Sequence, residues 1–301
     1  MKNFIYKILV FSSFILGVVF CIYAYWYFYP SKQDISLKKR NIIIGDSNTR
    51  WSMDDKILKD YHNFSVGGET YLFAYTKLRL LDRNNKIDTL LISFNPHNII
   101  NNTWATDGGA NPIQNRMPEF FSDFSLEEHY NLITHLPKNY FISLTKVGKK
   151  RLKKITAPLK YENPYFRLGS YQPMLQTTPK KEDKFYSYQT PRLTESEILY
   201  LIKIIDECKI KNIHIVLIQP PKNFKRKDYT NYDHQMFYDI YYKKFKNIDF
   251  LDFSKLNMPD NYYWDINHVN IIGAEYFTNF LANKGIKNLI RSKYNIKNDH
   301  R

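Results

Sequence analysis

The chain has 301 residues and a formal net charge of +15, with 44% hydrophobic and 17% aromatic residues. That composition can bury a core and excludes a disordered or low-complexity polypeptide. The excess positive charge favours an anionic neighbour such as phospholipid head groups, an acidic glycan or nucleic acid. The aromatic residues follow no RNA- or DNA-binding signature, so nucleic acid is set aside.

From Ile8 to Tyr29 the chain carries no charge, long enough to cross a hydrocarbon core as a helix. Residues 1–30 are therefore expected to be a single transmembrane anchor, making the membrane the first partner. Tyr23, Tyr25, Trp26, Tyr27, Phe28 and Tyr29 crowd its far end, where amphipathic rings favour the membrane–water interface. Pro30 is expected to end the helix. A cleaved signal peptide fits less well, because the apolar run is too long and no small-residue cleavage site follows. Phe20, before Cys21, is too bulky for a lipoprotein site. Lys2 and Lys7 precede the segment, whereas Lys32, Lys38, Lys39 and Arg40 follow it, so charge alone leans towards a cytoplasmic body.

Residues 31–301 are read as one α/β domain. Strands are expected at Asn41–Gly45, ending near Ser65, at Asp88–Phe94, at Asn212–Gln219 before Pro220 and Pro221, and at Ile248–Phe253. Leu90, Leu91 and Ile92 show no alternation, as when helices cover both faces of a sheet. Helical patterns run over Tyr71–Leu81, Thr194–Cys208 and Gly273–Lys284. Thr194 and Glu197 have capping-box spacing. The alternation of strand and helix predicts a three-layer α/β/α sandwich around a mainly parallel sheet. Residues from about 99 to 192 break the rhythm and are too long for an ordinary connection, so they are read as an insertion, lid or cap. Its basic run, Lys146, Lys149, Lys150, Arg151, Lys153 and Lys154, reads as a solvated helix face. Cys21 and Cys208 are not expected to pair. Neither has companions at metal-ligand spacing, so no metal is expected.

Two short segments carry chemistry. Gly45-Asp46-Ser47-Asn48 follows the first strand, where a serine would stand exposed at a strand end. Asp265-Ile266-Asn267-His268 places an acid and an imidazole three residues apart, on one side of a turn. Each alone is an ordinary turn or cap. Together they supply a nucleophile, a base and a group that orients the base. Between them lie Asn63-Phe64-Ser65-Val66-Gly67-Gly68-Glu69-Thr70 and Ser93-Phe94-Asn95-Pro96-His97-Asn98, and Gly273-Ala274 closes the set.

In this order and spacing the blocks resemble the SGNH (GDSL-like) hydrolases. The resemblance implies a flavodoxin-like sandwich with Ser47, Asp265 and His268 as catalytic triad. It also implies an oxyanion hole from the Ser47 and Gly68 amides, and no cofactor. The third block departs from the family's Gly-x-Asn-Asp: by register His97 stands at the asparagine, with Asn95 and Asn98 as alternatives. The implied activity is acyl ester chemistry, by an acetyl esterase or an O-acetyltransferase. Membrane-tethered bacterial relatives commonly act on cell-envelope or exported polysaccharides. An acylated carbohydrate substrate and a periplasmic or extracellular body are therefore expected, against the charge rule. Two alternatives remain open: a non-catalytic glycan-binding scaffold and a lipid esterase at the membrane surface.

Overall fold

The computed structural model describes residues 2–28, 35–100, 112–156, 168–178, 192–223 and 231–298. In chain order the elements are α1 (Lys2–Phe28), β1 (Asn41–Ile44), α2 (Ser47–Ser52), β2 (Tyr61–Asn63), α3 (Tyr71–Asp82), β3 (Thr89–Ser93), α4 (Pro96–Ile99), α5 (Pro112–Phe120), α6 (Leu126–His135), α7 (Pro137–Thr156), α8 (Glu195–Ile210), β4 (His214–Gln219), α9 (Asn231–Ile240), β5 (Asp249–Asp252), α10 (Ile271–Lys284) and α11 (Ile286–Asn298). They form two compact units, one of Met1–Asp34 with Ile113–Lys160, the other of Ile35–Pro112 with Tyr161–Arg301.

The larger unit is the expected α/β sandwich. Its five strands are all parallel, in the order β2-β1-β3-β4-β5, so the chain reverses direction across the sheet between β1 and β3. Open α/β sheets bind ligands at such a switch point, beyond the carboxyl ends of the strands. Every residue of β3 is buried, because both sheet faces are covered. On one face Ile43, Leu91, Val216, Ile218 and Leu251 pack with Phe277, Leu281, Ile286 and Ile290 of α10 and α11. On the other, Phe94 and Phe250 meet Phe237 of α9 and Phe245, with ring centroids 4.5 to 6.0 Å apart.

Several expected boundaries shift for local reasons. The strand expected from Asn212 begins at His214, because Asn212 takes a left-handed φ of 55° in the turn that leaves α8. Helix α10 starts two residues early, at Ile271, since the Asn270 side chain accepts from the amides of Ile272 and Gly273. The capping box at Thr194 does not form. Thr194 is the N-cap without a side-chain cap bond, and the Glu197 carboxylate instead accepts from the Tyr71 amide at the start of α3, 2.7 Å away. A buried helix start thus takes its acceptor from a neighbouring helix. The long insertion leaves at Ile100 and returns at Leu193, which pair in an antiparallel bridge.

In the smaller unit, α1 is exposed through most of its length, and its last turns pack on α5–α7. The Tyr23 hydroxyl donates to the Leu144 carbonyl (2.7 Å) and the Ser122 hydroxyl to the Trp26 carbonyl (3.0 Å). Tyr23 and Tyr27 meet Phe121 edge-on, and Tyr27 meets His129. A Cβ at Gly148 would lie 3.2 Å from the Tyr23 hydroxyl, so this glycine lets α7 approach α1 closely. Part of the aromatic cluster expected at a lipid interface is therefore built into a helical cap, leaving Tyr25 exposed. Tyr29 and Pro30 lie outside the described residues.

At the carboxyl end of β1, a Cβ on Gly45 would come within 2.4 Å of the Ser93 Cβ and 2.5 Å of the Thr49 Oγ1. Only glycine fits between β3 and α2. Gly45→Ala is expected to lower stability by about 1–3 kcal/mol through overpacking, read as a lower urea midpoint. An unchanged midpoint would show that β1 and α2 are not held this closely.

Candidate active site

Strand β1 delivers Asp46 as the N-cap of α2 and Ser47 as its first residue. The Ser47 Oγ lies 2.8 Å from the His268 Nε2. The His268 Nδ1 lies 2.8 Å and 2.9 Å from the two Asp265 carboxylate oxygens. Asp265 Oδ1 also accepts from the amides of Asn267 and His268, both at 2.8 Å. The Asp-x-x-His segment is a tight loop closed by a Tyr263–Val269 bridge, and the backbone fixes both side chains. Burial pushes the Asp265 carboxyl up, but the His268 ring and the two amides outweigh it and hold it below its ordinary value. An ionised Asp265 only accepts, so Nδ1 carries the proton and the Nε2 lone pair faces the Ser47 hydroxyl.

Behind Ser47, the Asp46 carboxylate is buried and fully used. One oxygen accepts from the Asn48 amide (2.9 Å) and the Ser93 hydroxyl (3.0 Å). The other lies 2.7 Å from the His97 Nε2 and 2.8 Å from the Asn98 Nδ2. Desolvation alone would raise its pKa, yet the hydrogen bond and charge of His97, with Asn98 and Asn48, hold it well below the usual carboxylate range. Ionised Asp46 requires the proton on the His97 Nε2. Desolvation, reinforced by the charges of Lys222 and His268, outweighs the pull of Asp46 and keeps the His97 pKa below its ordinary value. His97, placed by register as an oxyanion donor, braces Asp46 through its Nε2. Asn95 and Asn98 are likewise engaged: the Asn95 Nδ2 donates to the Ser93 Oγ (2.8 Å), and the Asn98 Oδ1 accepts from the Asn95 amide (2.8 Å).

The glycine block borders the serine from the other side. Asn63 at the end of β2 donates to the carbonyls of Thr49 and Met53, tying β2 to α2. The turn Val66–Glu69 closes through the Glu69 amide to the Val66 carbonyl (3.2 Å), with Gly68 at φ 66°. A Cβ at Gly67 would lie 4.0 Å from the Ser47 Cβ. Among the described residues, the amides of Ser47, Gly67 and Gly68 find no acceptor. The turn is held by a buried ion pair of Glu69 with Lys77, whose ammonium also donates to the Phe64 carbonyl (2.7 Å).

The rim of the site was not legible in the sequence. The Trp51 ring lies 4.4 Å, centroid to centroid, from His268 and meets Trp264 edge-on at 5.8 Å. The described segment 168–178 runs along this rim. Gly169 lies against the carbonyls of Phe64 and Ser65, the Gln172 amide donates to the Arg50 carbonyl, and Gln176 accepts from the Trp264 indole. Lys222, after Pro220 and Pro221, is 3% exposed. Burial pushes its ammonium down to about 8, against the pull of Asp46, Asp252 and Asp265.

A family model matches residues 175–290, the stretch that includes Lys222, Asp265 and His268. No curated protein matches the chain. Among solved structures, the chain is similar to a Bacteroides fragilis protein assigned as an acylhydrolase, at 13% identity over 85% of this chain and 91% of that one, with a TM-score of 0.40. It is similar to a GDSL-like lipase from Bacteroides thetaiotaomicron at 10% identity, over 85% and 91% of the two chains, with a TM-score of 0.38. It is also similar to a catalytic mutant of an acetylxylan esterase from Geobacillus stearothermophilus at 12% identity, over 84% and 97%, with a TM-score of 0.37.

Asp46 has its pKa depressed on folding, so its contribution to stability is full above the unfolded carboxylate value and is lost as pH falls below about 4. The wild-type urea midpoint is expected to drop between pH 5 and pH 3. Asp46→Asn is expected to cost about 1–3 kcal/mol at pH 7 by leaving donors poorly matched, and to flatten that acid slope in part, Asp265 supplying the remainder. An acid slope identical to that of the wild type would show that Asp46 is not the buried anion.

Proposed function

We propose that the larger unit is an SGNH-type serine enzyme of acyl ester chemistry. The observation that carries this reading is the continuous relay from Ser47 through His268 to Asp265. In the proposed reaction the Ser47 Oγ attacks the ester carbonyl as its proton passes to the His268 Nε2, and Asp265 stabilises the imidazolium. The unclaimed amides of Ser47 and Gly68, with Gly67 beside them, receive the oxyanion. Collapse expels the alcohol, which takes the proton from His268 and leaves an acyl-serine. A second hydroxyl, from water or a sugar, then repeats the attack in reverse.

The substrate we propose is an acetylated cell-envelope or exported polysaccharide. Trp51 and Trp264 beside His268 favour it, because aromatic rings suit the apolar face of a sugar. We further propose that α1 is a retained membrane anchor, since its last turns pack into the helical cap, and that the body faces the periplasm or the outside.

The test compares the full-length wild type with Ser47→Ala and Asp265→Asn for labelling by a fluorophosphonate and for acetate release from an aryl acetate. Ser47→Ala is expected to abolish labelling. Both variants are expected to lose turnover by about 10³-fold or more. A folded wild type that neither labels nor turns over an ester, with or without an oligosaccharide acceptor, sinks the reading. Preference for long-chain over acetyl esters would transfer it to lipid.

A further inference from the structure

Around its circumference α7 presents four successive bands. Tyr140, Ser143 and Val147 are buried in the smaller unit. Next come Leu144 and Gly148, which meet Tyr23 and Trp26 of α1. Phe141 and Leu152 continue that stripe at either end and are each 58% exposed. Eleven residues apart, they fall on one face of the helix, separated by about 16 Å. Beyond them lie the exposed Lys138 and Lys149. Helix α6 carries a similar stripe, with Leu126 and Tyr130 exposed one turn apart. An apolar stripe edged by lysines is the pattern of a helix lying in a membrane interface, where the apolar side chains dip among acyl chains and the lysines reach head-group phosphates.

The level of α7 along α1 agrees with this. From Phe4 to Tyr23, α1 rises about 30 Å, the thickness of a hydrocarbon core. Its side chains before Tyr23 are exposed, and the apolar residues from Phe4 to Phe20 present a face with no protein partner among the described residues. Helix α7 meets α1 at Tyr23 and Trp26, where α1 would leave that core.

We propose that α6 and α7 form a platform in the head-group layer of the bilayer that α1 crosses, with Phe141 and Leu152 inserted and Lys138 and Lys149 on anionic phospholipid. The proposal rests on the reading of α1 as a membrane anchor and is independent of the ester chemistry. The basic run of α7 divides accordingly. Lys150 pairs with Glu119 and Lys146 reaches Asn115 within the cap, while Lys149 faces the lipid.

The experiment uses the full chain, with Cys21→Ala, in nanodiscs containing phosphatidylglycerol, with an environment-sensitive fluorophore on Phe14→Cys, Phe141→Cys or Leu152→Cys. Nitroxide lipids carry the quencher either at the head group or deep in the acyl chain. The fluorophore at 14 is expected to be quenched by the deep nitroxide, and those at 141 and 152 by the shallow one. Lys138→Glu with Lys149→Glu is expected to reduce the shallow quenching at 152 at least twofold. Quenching at 14 without quenching at 141 and 152 overturns the platform and leaves the anchor. No quenching at 14 overturns the anchor and this inference with it. Unchanged quenching in the double glutamate variant overturns the role given to the lysines.

Discussion

The Asp46 carboxylate is ionised inside the protein, a state that is costly unless its lone pairs are all engaged. The donors come from three places: Asn48 of α2, Ser93 of β3, and His97 and Asn98 of α4. One buried charge thus gathers the ends of β1 and β3 at the point where the sheet order reverses. Ser47 is the next residue, so its position follows from satisfying its neighbour. The requirement also explains the third block: His97 and Asn98 donate to the anion, and Asn95 holds the Ser93 hydroxyl and Asn98 in place.

A second constraint acts from the glycine block. The Glu69–Lys77 pair is wholly buried, and breaking such a pair by removing one partner is far more damaging than its net contribution implies. The pair fixes the turn that leaves the Gly67 and Gly68 amides unclaimed. Lys222 lies within reach of the same acids: Asp46, Asp252 and Asp265 pull towards its charged form against the cost of burying it.

Elements whose cause is local were readable in the sequence. The unbroken apolar runs of β1, β3 and β4 announce strands covered on both faces, and Pro220 ends β4 at the expected place. The juxtaposition of Ser47, Asp265 and His268 was readable from residue type and spacing. What failed depends on partners distant in sequence. Thr194 and Glu197 have the spacing of a capping box, but Glu197 is needed by Tyr71 at the head of α3. The contact of His97 with Asp46 across 51 residues was not readable from its register in the third block. Trp51 and Trp264 gain meaning only when folding brings them to His268, and the Tyr23–Trp26–Tyr27 cluster only when α5–α7 fold beneath it.

Both units are assembled from segments far apart in the chain. The Tyr23 hydroxyl and the Leu144 carbonyl are 121 residues apart, and Ser47 and His268 are 221 apart. During synthesis the aromatic end of α1 waits for α7, and Ser47 waits for a loop translated 221 residues later. Until then Ser47 is an ordinary alcohol with nothing to take its proton. A polypeptide cut short before Asp265 therefore holds Ser47 without the imidazole that meets it in the folded chain.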